Sequence, residues 1–343
     1  MKTKDAHPSS SSIILPIVDT IASPEIRNII DVNDPDEIAQ GFTYWQARYE
    51  QLSKGKFIGS ITECWINDVQ IVEESLSQQI FMTGSARPHA VSIGVLSSFS
   101  EPAIWHGQAF GHHHIACMSQ QEELELNVPG GTRMTSITIP FYIFPEFAQQ
   151  DGAEGAQQLF NGQHASFLYH PALAQDIRIK LQQIIGEISR FPQHFKSVDV
   201  QRLLISELIG LVDAYISLAH PKVFSASTEK ARRVVKTAHA FIESHPDTAV
   251  SIVDLCKVTF TSRRTLQYCF EKIVGISPHA YLKMIRLNAV KRLLAKGSVT
   301  VSEAAANWGF WHLSQFANDY KKAFGVLPSD TLKNGNGMTD LYI

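Results

Sequence analysis

The sequence predicts an α+β protein with two domains. An antiparallel β domain closed by two helices is expected first, followed by an all-α domain with two helix-turn-helix units joined by a long helix. Short β-branched and aromatic runs separated by turn residues fill the first part, helical periodicity replaces them from Pro171, and one segment near the C-terminus occurs twice. With 343 residues and 44% hydrophobic content, the chain is long enough to bury two cores.

The predicted boundaries follow these changes in composition. We expect a disordered tail at residues 1–12 and the β domain with its two helices at residues 13–220. A linker at 221–228, the helix-turn-helix domain at 229–333 and a flexible tail at 334–343 should follow. The four cysteines have no CxxC spacing, which argues against a zinc site or a disulfide framework. Neither a signal peptide nor a run of about 18 apolar residues is found, so a cytoplasmic protein is expected.

Strand-like runs alternate with turn signals such as Pro129-Gly130-Gly131 in the first part of the chain. Many short strands of this kind imply an antiparallel sandwich or a small barrel. The predicted strands are Lys56–Ile66, Gln70–Glu73, Ala90–Leu96, His113–Met118, Leu124–Val128 and Arg133–Ile139. Two amphipathic helices follow, around Leu181 and Leu208, and periodicity leaves open whether they pack on the sheet or pair with a second subunit.

The repeated segment is SRRTLQYCFEKIVGISP at residues 262–278 and HLSQFANDYKKAFGVLP at residues 312–328. In each copy an apolar residue is followed four places later by an aromatic one, which indicates one helical face, and Gly and Pro then end the helix. A short helix precedes each copy, at Ser251–Val258 and Thr300–Trp308. The repeat therefore predicts two helix-turn-helix units.

Residues Pro278–Lys296 between the two copies predict one continuous helix, with Pro in its first turn and no internal Gly or Pro. Nineteen residues rising about 1.5 Å each give a length of roughly 28 Å. This length is near the ~34 Å between successive major-groove faces on one side of B-DNA. The helix can thus hold two reading units over adjacent grooves; a packing helix without a spacing role is the alternative.

Charge is divided unevenly along the chain. From Thr228 to Lys333 there are 16 Lys and Arg against 8 Asp and Glu, whereas the whole chain has 30 and 33. The net charge of −3 therefore hides a basic C-terminal part and an acidic N-terminal part. A basic double helix-turn-helix is typical of a DNA-binding protein because its cations displace counterions from phosphate. The alternative is a solvated basic face.

Base contacts are expected at the N-terminal, outward positions of the two repeated helices, since the apolar positions must face the core. Arg suits the O6 and N7 of guanine, and Gln the N6 and N7 of adenine. The candidates are Arg263, Arg264, Gln267, His312, Ser314, Gln315 and Asn318. For His312 and Ser314, helix capping or phosphate contact is an equal alternative. Candidates for phosphate contacts are Lys272, Lys283, Lys321 and Lys322. Trp308, Phe310 and Trp311 are expected to pack in the turn.

The double unit resembles the DNA-binding domain of AraC/XylS-type transcription regulators. The second copy has the residues of that pattern at the matching intervals: Gly309, Phe310, Ser314, Phe316, Tyr320, Lys321, Phe324, Gly325 and Pro328. The runs SRRTLQ, IRLNAV and WGFWHL further resemble the group of this family that activates ethanolamine-utilisation operons. Shorter similarities are Thr43 with Trp45, Gly55-Lys56-Phe57 with Gly59, and Pro129-Gly130-Gly131-Thr132.

The resemblance implies a cupin-like or jelly-roll sensing domain, two helices for homodimerisation, and activation of transcription with DNA and RNA polymerase as partners. For the ethanolamine group it implies ethanolamine and adenosylcobalamin as inducers. Another amine, a carboxylate or an aromatic acid is the alternative inducer. Aromatic residues that could line an effector pocket are Trp45, Phe57, Trp65, Phe81 and Trp105. An ammonium group would need an acidic partner, for which Glu63 or Glu73 is a candidate.

A metal-binding cupin enzyme is the competing class of protein. His112 and His114 alternate on a predicted strand and could share a cation with Glu122 or Glu123, but the carboxylates lie beyond the usual short spacing. The sequence has no GxSxG motif and no phosphate-binding loop. We therefore predict a regulator without a metal site and without catalytic activity.

Overall fold

In the computed structural model, residues 24–119, 123–144, 166–219, 225–246 and 250–339 are described. The predicted tail at residues 1–12 and the first half of the predicted linker, residues 221–224, lie outside these ranges. The N-terminal domain contains two antiparallel sheets that face each other, and the C-terminal domain is helical. The predicted combination of antiparallel β domain and helical helix-turn-helix domain is confirmed.

Twelve strands occur in the described part of the β domain. They are β1 (Glu25–Val32), β2 (Gln46–Gln51), β3 (Gly59–Ile66), β4 (Val69–Leu76), β5 (Ile80–Ser85), β6 (Ala90–Ser98), β7 (Ala103–Trp105), β8 (Gln108–Phe110), β9 (His114–Ser119), β10 (Glu123–Val128), β11 (Thr132–Pro140) and β12 (Ser166–Tyr169). One sheet has the order β1-β3-β4-β11-β6-β9-β12, and the other has the order β2-β5-β10-β7-β8. A short helix, α1 (Pro35–Gly41), precedes β2.

Two long helices follow the strands, α2 (Pro171–Arg190) and α3 (Val198–Leu218). The apolar side of α2 packs on the outer face of the seven-stranded sheet, where Ile177 and Leu181 are fully buried. Helix α3 completes this cluster through Leu208 and Val212. The helices predicted from periodicity thus cover the sheet, which is the first of the two alternatives. Leu203 of α3 lies outside this cluster and is 68% exposed.

The helical domain contains seven helices in its described part. They are α4 (Ala226–Ser244), α5 (Ile252–Val258), α6 (Arg263–Val274), α7 (Pro278–Ala295), α8 (Val301–Asn307), α9 (Leu313–Phe324) and α10 (Pro328–Thr339). Helices α5 and α6 form the first helix-turn-helix unit, and α8 and α9 form the second. Gly275 and Gly325 end the two repeated helices with φ angles of 75° and 77°, a conformation that glycine adopts without strain.

Helix α7 is continuous over 18 residues, as predicted. Its buried residues include Tyr281, Ile285 and Val290 and are distributed around the helix, so α7 is the centre of the domain's core. It therefore packs against the other helices in addition to joining the two units. At about 1.5 Å per residue its length is about 27 Å.

Two helices of the helical domain were not predicted from the sequence. Helix α4 begins at Ala226, inside the predicted linker, with Ser225 as its N-cap. Helix α10 continues to Thr339, so it includes part of the segment predicted to be a flexible tail. Tyr320 on α9 donates a hydrogen bond to Thr331 of α10, which ties α10 to the second unit. Within the described ranges, no helix is both long enough and apolar enough to cross a membrane.

Candidate nucleic-acid interface and ligand cavity

The first repeated helix, α6, has its N-terminus at the surface. Ser262 caps it by accepting a hydrogen bond from the amide of Thr265, while Leu266 and Phe270 are fully buried on the other side. Arg263 and Arg264 are exposed in the first turn. Gln267 is half-buried and donates a hydrogen bond to Glu271. The two arginines are therefore free to reach a groove, whereas Gln267 must first give up its partner on the same helix.

The second repeated helix, α9, exposes the matching surface. His312, Ser314, Gln315 and Asn318 are exposed, and Phe316 and Tyr320 are buried beneath them. His312 stands at the N-cap position but makes no capping hydrogen bond through its side chain. Leu313 is 48% exposed because it begins the helix, before the first turn reaches the core.

The four lysines proposed as phosphate contacts differ in their surroundings. Lys321 and Lys322 are exposed in the last turn of α9. Lys272 lies over the ring of Tyr268, 5.7 Å from its centre, and donates to the hydroxyl of Ser227. Lys283 on α7 forms an ion pair of 2.7 Å with Asp319 on α9. The charge of Lys283 is therefore largely neutralised, and the pair fixes the second repeated helix to α7.

Aromatic residues of the two turns are placed differently. Trp308 and Phe310 pack against the core, as expected. Trp311 is 70% exposed, so the expectation that it packs in the turn is wrong for this residue, which lies just beyond the turn and outside the cluster. In the first unit Phe260 is 95% exposed and has a φ angle of 52°, a left-handed conformation that bulky residues rarely adopt.

A cavity of about 90 Å³ lies between the two sheets of the β domain. Its lining is almost entirely apolar and aromatic: Phe42, Trp45, Ala47, Tyr49, Val72, Glu74, Met82, Ser92, Ile93, Gly94, Val95, Trp105, Phe110, Ala116, Met118, Leu124, Leu126, Met134, Thr135 and Ser136. An apolar cavity with few polar groups is the usual form of a small-molecule site. Its volume is sufficient for several waters or one small organic molecule.

Glu74 is the one residue of this lining, among those described, that carries a carboxyl group. It is 3% exposed, and its Oε1 atom has no hydrogen-bond partner among the described residues. Burial raises the pKa of Glu74 to about 8, although a hydrogen bond from the hydroxyl of Tyr49 opposes the shift. A carboxyl group in such a setting stays protonated at neutral pH unless a cation or further donors reach it.

The predicted effector residues are only partly brought together. Trp45 and Trp105 line the cavity. Phe57 and Phe81 are buried outside its lining, and Trp65 stacks edge-on against Tyr44. Glu63 is paired with Arg27 and accepts a hydrogen bond from Gln70, and Glu73 faces Gln182 of α2. The sequence analysis did not select Glu74, although strand alternation with Val72 and Leu76 marks it as an acidic residue on a buried face.

The histidine run packs against aromatic rings. The His112 ring is tilted against Phe99 with ring centres 4.2 Å apart, and His114 stacks on Phe167 at 4.7 Å. Burial, followed by the nearby Arg178 guanidinium, lowers the pKa of His112. Glu122 lies outside the described residues. Within the described ranges, no group of three or more His, Cys, Asp or Glu residues is arranged to hold a metal ion.

The five-stranded sheet separates the cavity from the helical domain. Along β2, Ala47 and Tyr49 line the cavity, whereas Arg48 and Glu50 point to the opposite face. Along β10, Leu124 and Leu126 line the cavity. The alternation of a strand thus gives this sheet one face toward the cavity and one toward the helices.

Ion pairs cross the interface between the sheet and the helices. Arg292 of α7 binds Asp36 at 2.7 Å and Glu50 at 2.8 Å, and the remaining pairs are Lys291–Asp34, Arg232–Glu125, Lys236–Glu123 and Arg48–Glu243. Most of these ion pairs join a basic residue of the helical domain to an acidic residue of the β domain. Part of the basic excess predicted from the sequence is therefore used at the domain interface, and the exposed cations on α6 and α9 remain for DNA.

The C-terminal ends of both repeated helices are also held by the β domain. Asn127 donates a hydrogen bond of 2.9 Å to the main-chain oxygen of Val274, at the end of α6. Gln51 donates one of 2.8 Å to the oxygen of Ala323, near the end of α9. These bonds satisfy carbonyl groups that a helix end leaves unpaired. Both helices are anchored at one end and exposed at the other, where the candidate base contacts lie.

Comparison with known proteins matches residues 255–334 to the helix-turn-helix domain family. The XylDLEGF operon transcriptional activator of Pseudomonas putida is 33% identical over 147 residues, which is 42% of this chain and 42% of that protein. The lactose operon transcription activator of Staphylococcus xylosus is 25% identical over 161 residues, 47% of this chain and 57% of that protein. The aligned part thus spans between 42% and 57% of these two relatives.

Two solved structures are also similar. A probable AraC family transcriptional regulator from Rhodopseudomonas palustris is 34% identical and aligns over 30% of this chain and 97% of its own, with a TM-score of 0.28. ToxT from Vibrio cholerae is 13% identical over 86% of this chain and 99% of its own, with a TM-score of 0.29. The two relatives aligned by sequence are both named as activators of transcription.

Proposed function

We propose that the chain is an AraC/XylS-type regulator that binds operator DNA with both helix-turn-helix units and activates transcription there in response to a small molecule. The observation that carries this proposal is the matched exposure of the two repeated helices. Arg263 and Arg264 on α6 and Gln315 and Asn318 on α9 are all presented at the free, N-terminal sides of anchored helices. Lys321, Lys322 and Lys272 would contact phosphate beside them.

The spacer α7 supports simultaneous use of both units. Its uninterrupted length of about 27 Å is of the order of the ~34 Å repeat of the major groove. The Lys283–Asp319 ion pair joins α9 to α7, so the second unit has a fixed orientation relative to this helix. We expect one chain to cover two adjacent major grooves.

A homodimer is proposed to form through α3. Along its length this helix exposes Val198, Leu203 and Leu218, at 39%, 68% and 42%. Apolar side chains on one helix surface are typical of protein interfaces. RNA polymerase is the partner proposed for activation, and the cytoplasm is the compartment in which both partners and DNA are present.

The cavity between the sheets is the proposed effector site. The runs SRRTLQ, IRLNAV and WGFWHL resemble the ethanolamine group of regulators, and on this basis ethanolamine is the proposed effector, with adenosylcobalamin as co-inducer. Adenosylcobalamin is far larger than a cavity of about 90 Å³, so it would need a different surface. Another amine, a carboxylate or an aromatic acid is the alternative inducer from the same sequence argument.

The test of DNA binding is footprinting of the full-length chain on the DNA upstream of its own and neighbouring genes. We expect protection of two adjacent major-groove segments on one side of the duplex. Binding should weaken with salt by a slope of about −0.9 per phosphate contacted. Protection of a single groove, or binding that does not change with salt, would contradict the proposal.

A further inference from the structure

We propose that the cavity binds a protonated amine with an apolar body, whose ammonium group pairs with Glu74 and whose carbon frame packs against the aromatic rings. This inference rests on the proposed function, because it names the chemical class of the effector. Three features of the cavity support it: the unpartnered oxygen of Glu74, the apolar lining, and the aromatic faces.

Two lining residues have a buried polar atom without a partner among the described residues: Glu74 has the acceptor Oε1, and Trp105 has the donor Nε1. Tyr49 supplies one hydrogen bond to the carboxyl group of Glu74, and a phenol has a single proton to donate. The Oε1 atom has no partner among the described residues, and the paired strands place Ile61 and Met134 beside Glu74. Leaving a buried acceptor unpaired is unfavourable. A ligand that donates a hydrogen bond to Oε1 therefore removes this unfavourable free energy when it binds.

The charge of the ligand follows from the same surroundings. Of the described residues that line the cavity, Glu74 and Tyr49 are the two that titrate, and none is Lys, Arg or His. A ligand carboxylate would find no cation in the lining and would lie beside an acid. An ammonium group instead forms an ion pair with Glu74 in a site of low dielectric constant, where charge-assisted hydrogen bonds are strong.

The lining determines the body of the ligand. Trp45, Trp105, Phe110 and Tyr49 offer ring faces to a cation and to a hydrocarbon frame. Ethanolamine carries a second polar group, and its hydroxyl would have to be buried among these rings or meet Ser92, Thr135 or Ser136. A single-ring or branched aliphatic amine fills the apolar space without that cost.

Proton release gives this inference a specific signature. At neutral pH the free protein holds a proton on Glu74, since its pKa is about 8, and an amine binds as the ammonium form. Forming the ion pair therefore releases one proton. Affinity should rise about tenfold per pH unit below pH 8 and level off above it. A neutral or carboxylate ligand would not show this rise.

The experiment is calorimetric titration of the full-length chain with benzylamine, benzyl alcohol, benzoate and ethanolamine at pH 6, 7 and 8. We expect benzylamine to bind best at every pH, and to bind more tightly as the pH rises. Glu74→Gln should weaken benzylamine at least about tenfold while changing benzyl alcohol by less than about threefold. Glu73→Gln, on the neighbouring position that faces α2, is the matched control and should leave benzylamine affinity unchanged.

The other outcomes are distinct. Preferred binding of benzoate, or benzylamine affinity that is independent of pH and of the Glu74→Gln change, would overturn the inference. Tighter binding of ethanolamine than of benzylamine would also overturn it, because the apolar body would then contribute nothing. Footprinting on the same preparations reports DNA binding separately, so failure of the amine inference leaves the proposal of a DNA-binding regulator intact.

Discussion

Arg292 on the spacer helix donates a hydrogen bond of 2.8 Å to the main-chain oxygen of Tyr49, whose ring lines the ligand cavity. The same guanidinium group binds Asp36 and Glu50. Tyr49 therefore contacts the cavity through its side chain and helix α7 through its backbone. Helix α7 joins the two helix-turn-helix units. A single residue, Tyr49, thus links the wall of the cavity to the DNA-binding domain.

Arg292→Met should destabilise the chain strongly, because fully buried Glu50 keeps Arg48 but loses its partner on α7, and Asp36 loses both hydrogen bonds that Arg292 donates. Breaking a buried pair from one side costs about 3–5 kcal/mol. Urea unfolding measures the free energy, and the second change Glu50→Gln should restore much of it. Arg202→Met is the matched control: its ion pair with Asp199 is exposed and 3.9 Å long, so a loss below about 1 kcal/mol is expected.

Arg264→Ala should cost about 1–3 kcal/mol of binding free energy on the specific operator and little on unrelated DNA, if this exposed arginine reads a base. Gel-shift titration on both DNAs gives the two values. Arg133→Ala removes the same charge from an exposed position on the β domain and should change neither. Equal losses on both DNAs would assign Arg264 to phosphate instead.

The stability of the β domain should decrease as the pH rises from 4.5 to about 8. Over this window folded Glu74 keeps the proton that the unfolded chain, with a carboxyl pKa near 4.5, has already released. The folded state then binds more protons than the unfolded state, which makes the free energy of unfolding fall with pH. Thermal melts should show a shallower fall for Glu74→Gln. Parallel curves for the two proteins would show that Glu74 is ionised in the fold.

Phe260→Gly should raise the free energy of unfolding, because Phe260 holds a φ angle of 52° and is 95% exposed, so it gains almost nothing from burial. A non-glycine residue in such a conformation stores about 1–3 kcal/mol of strain. In the second unit the left-handed turn residue is already glycine, Gly309, with a φ angle of 75°. A drop in operator affinity despite higher stability would show that the exposed ring makes a contact with DNA.

The helical domain could be predicted closely because its signals are local. Ser251 and Thr300 cap α5 and α8 with reciprocal capping boxes, and Gly275 and Gly325 end the repeated helices, as their positions in the sequence indicate. The six predicted strands all occur, with ends that differ by a few residues. Six strands were missed. The alternation of β1, β2 and β5 is interrupted by polar residues that face the other domain or solvent, and β7, β8 and β12 are only three or four residues long.

The sequence by itself determined the two domains, their opposite charges, the repeat, and the side of each repeated helix that faces outward, because helical and strand periodicity act over a few neighbouring residues. Only the tertiary structure decided that Glu74 lies in the cavity while Glu63 and Glu73 do not, and that Arg292 reaches Tyr49. Those relationships depend on sheet pairing and domain packing across as many as 243 residues of chain, and no local pattern encodes which distant side chains will meet.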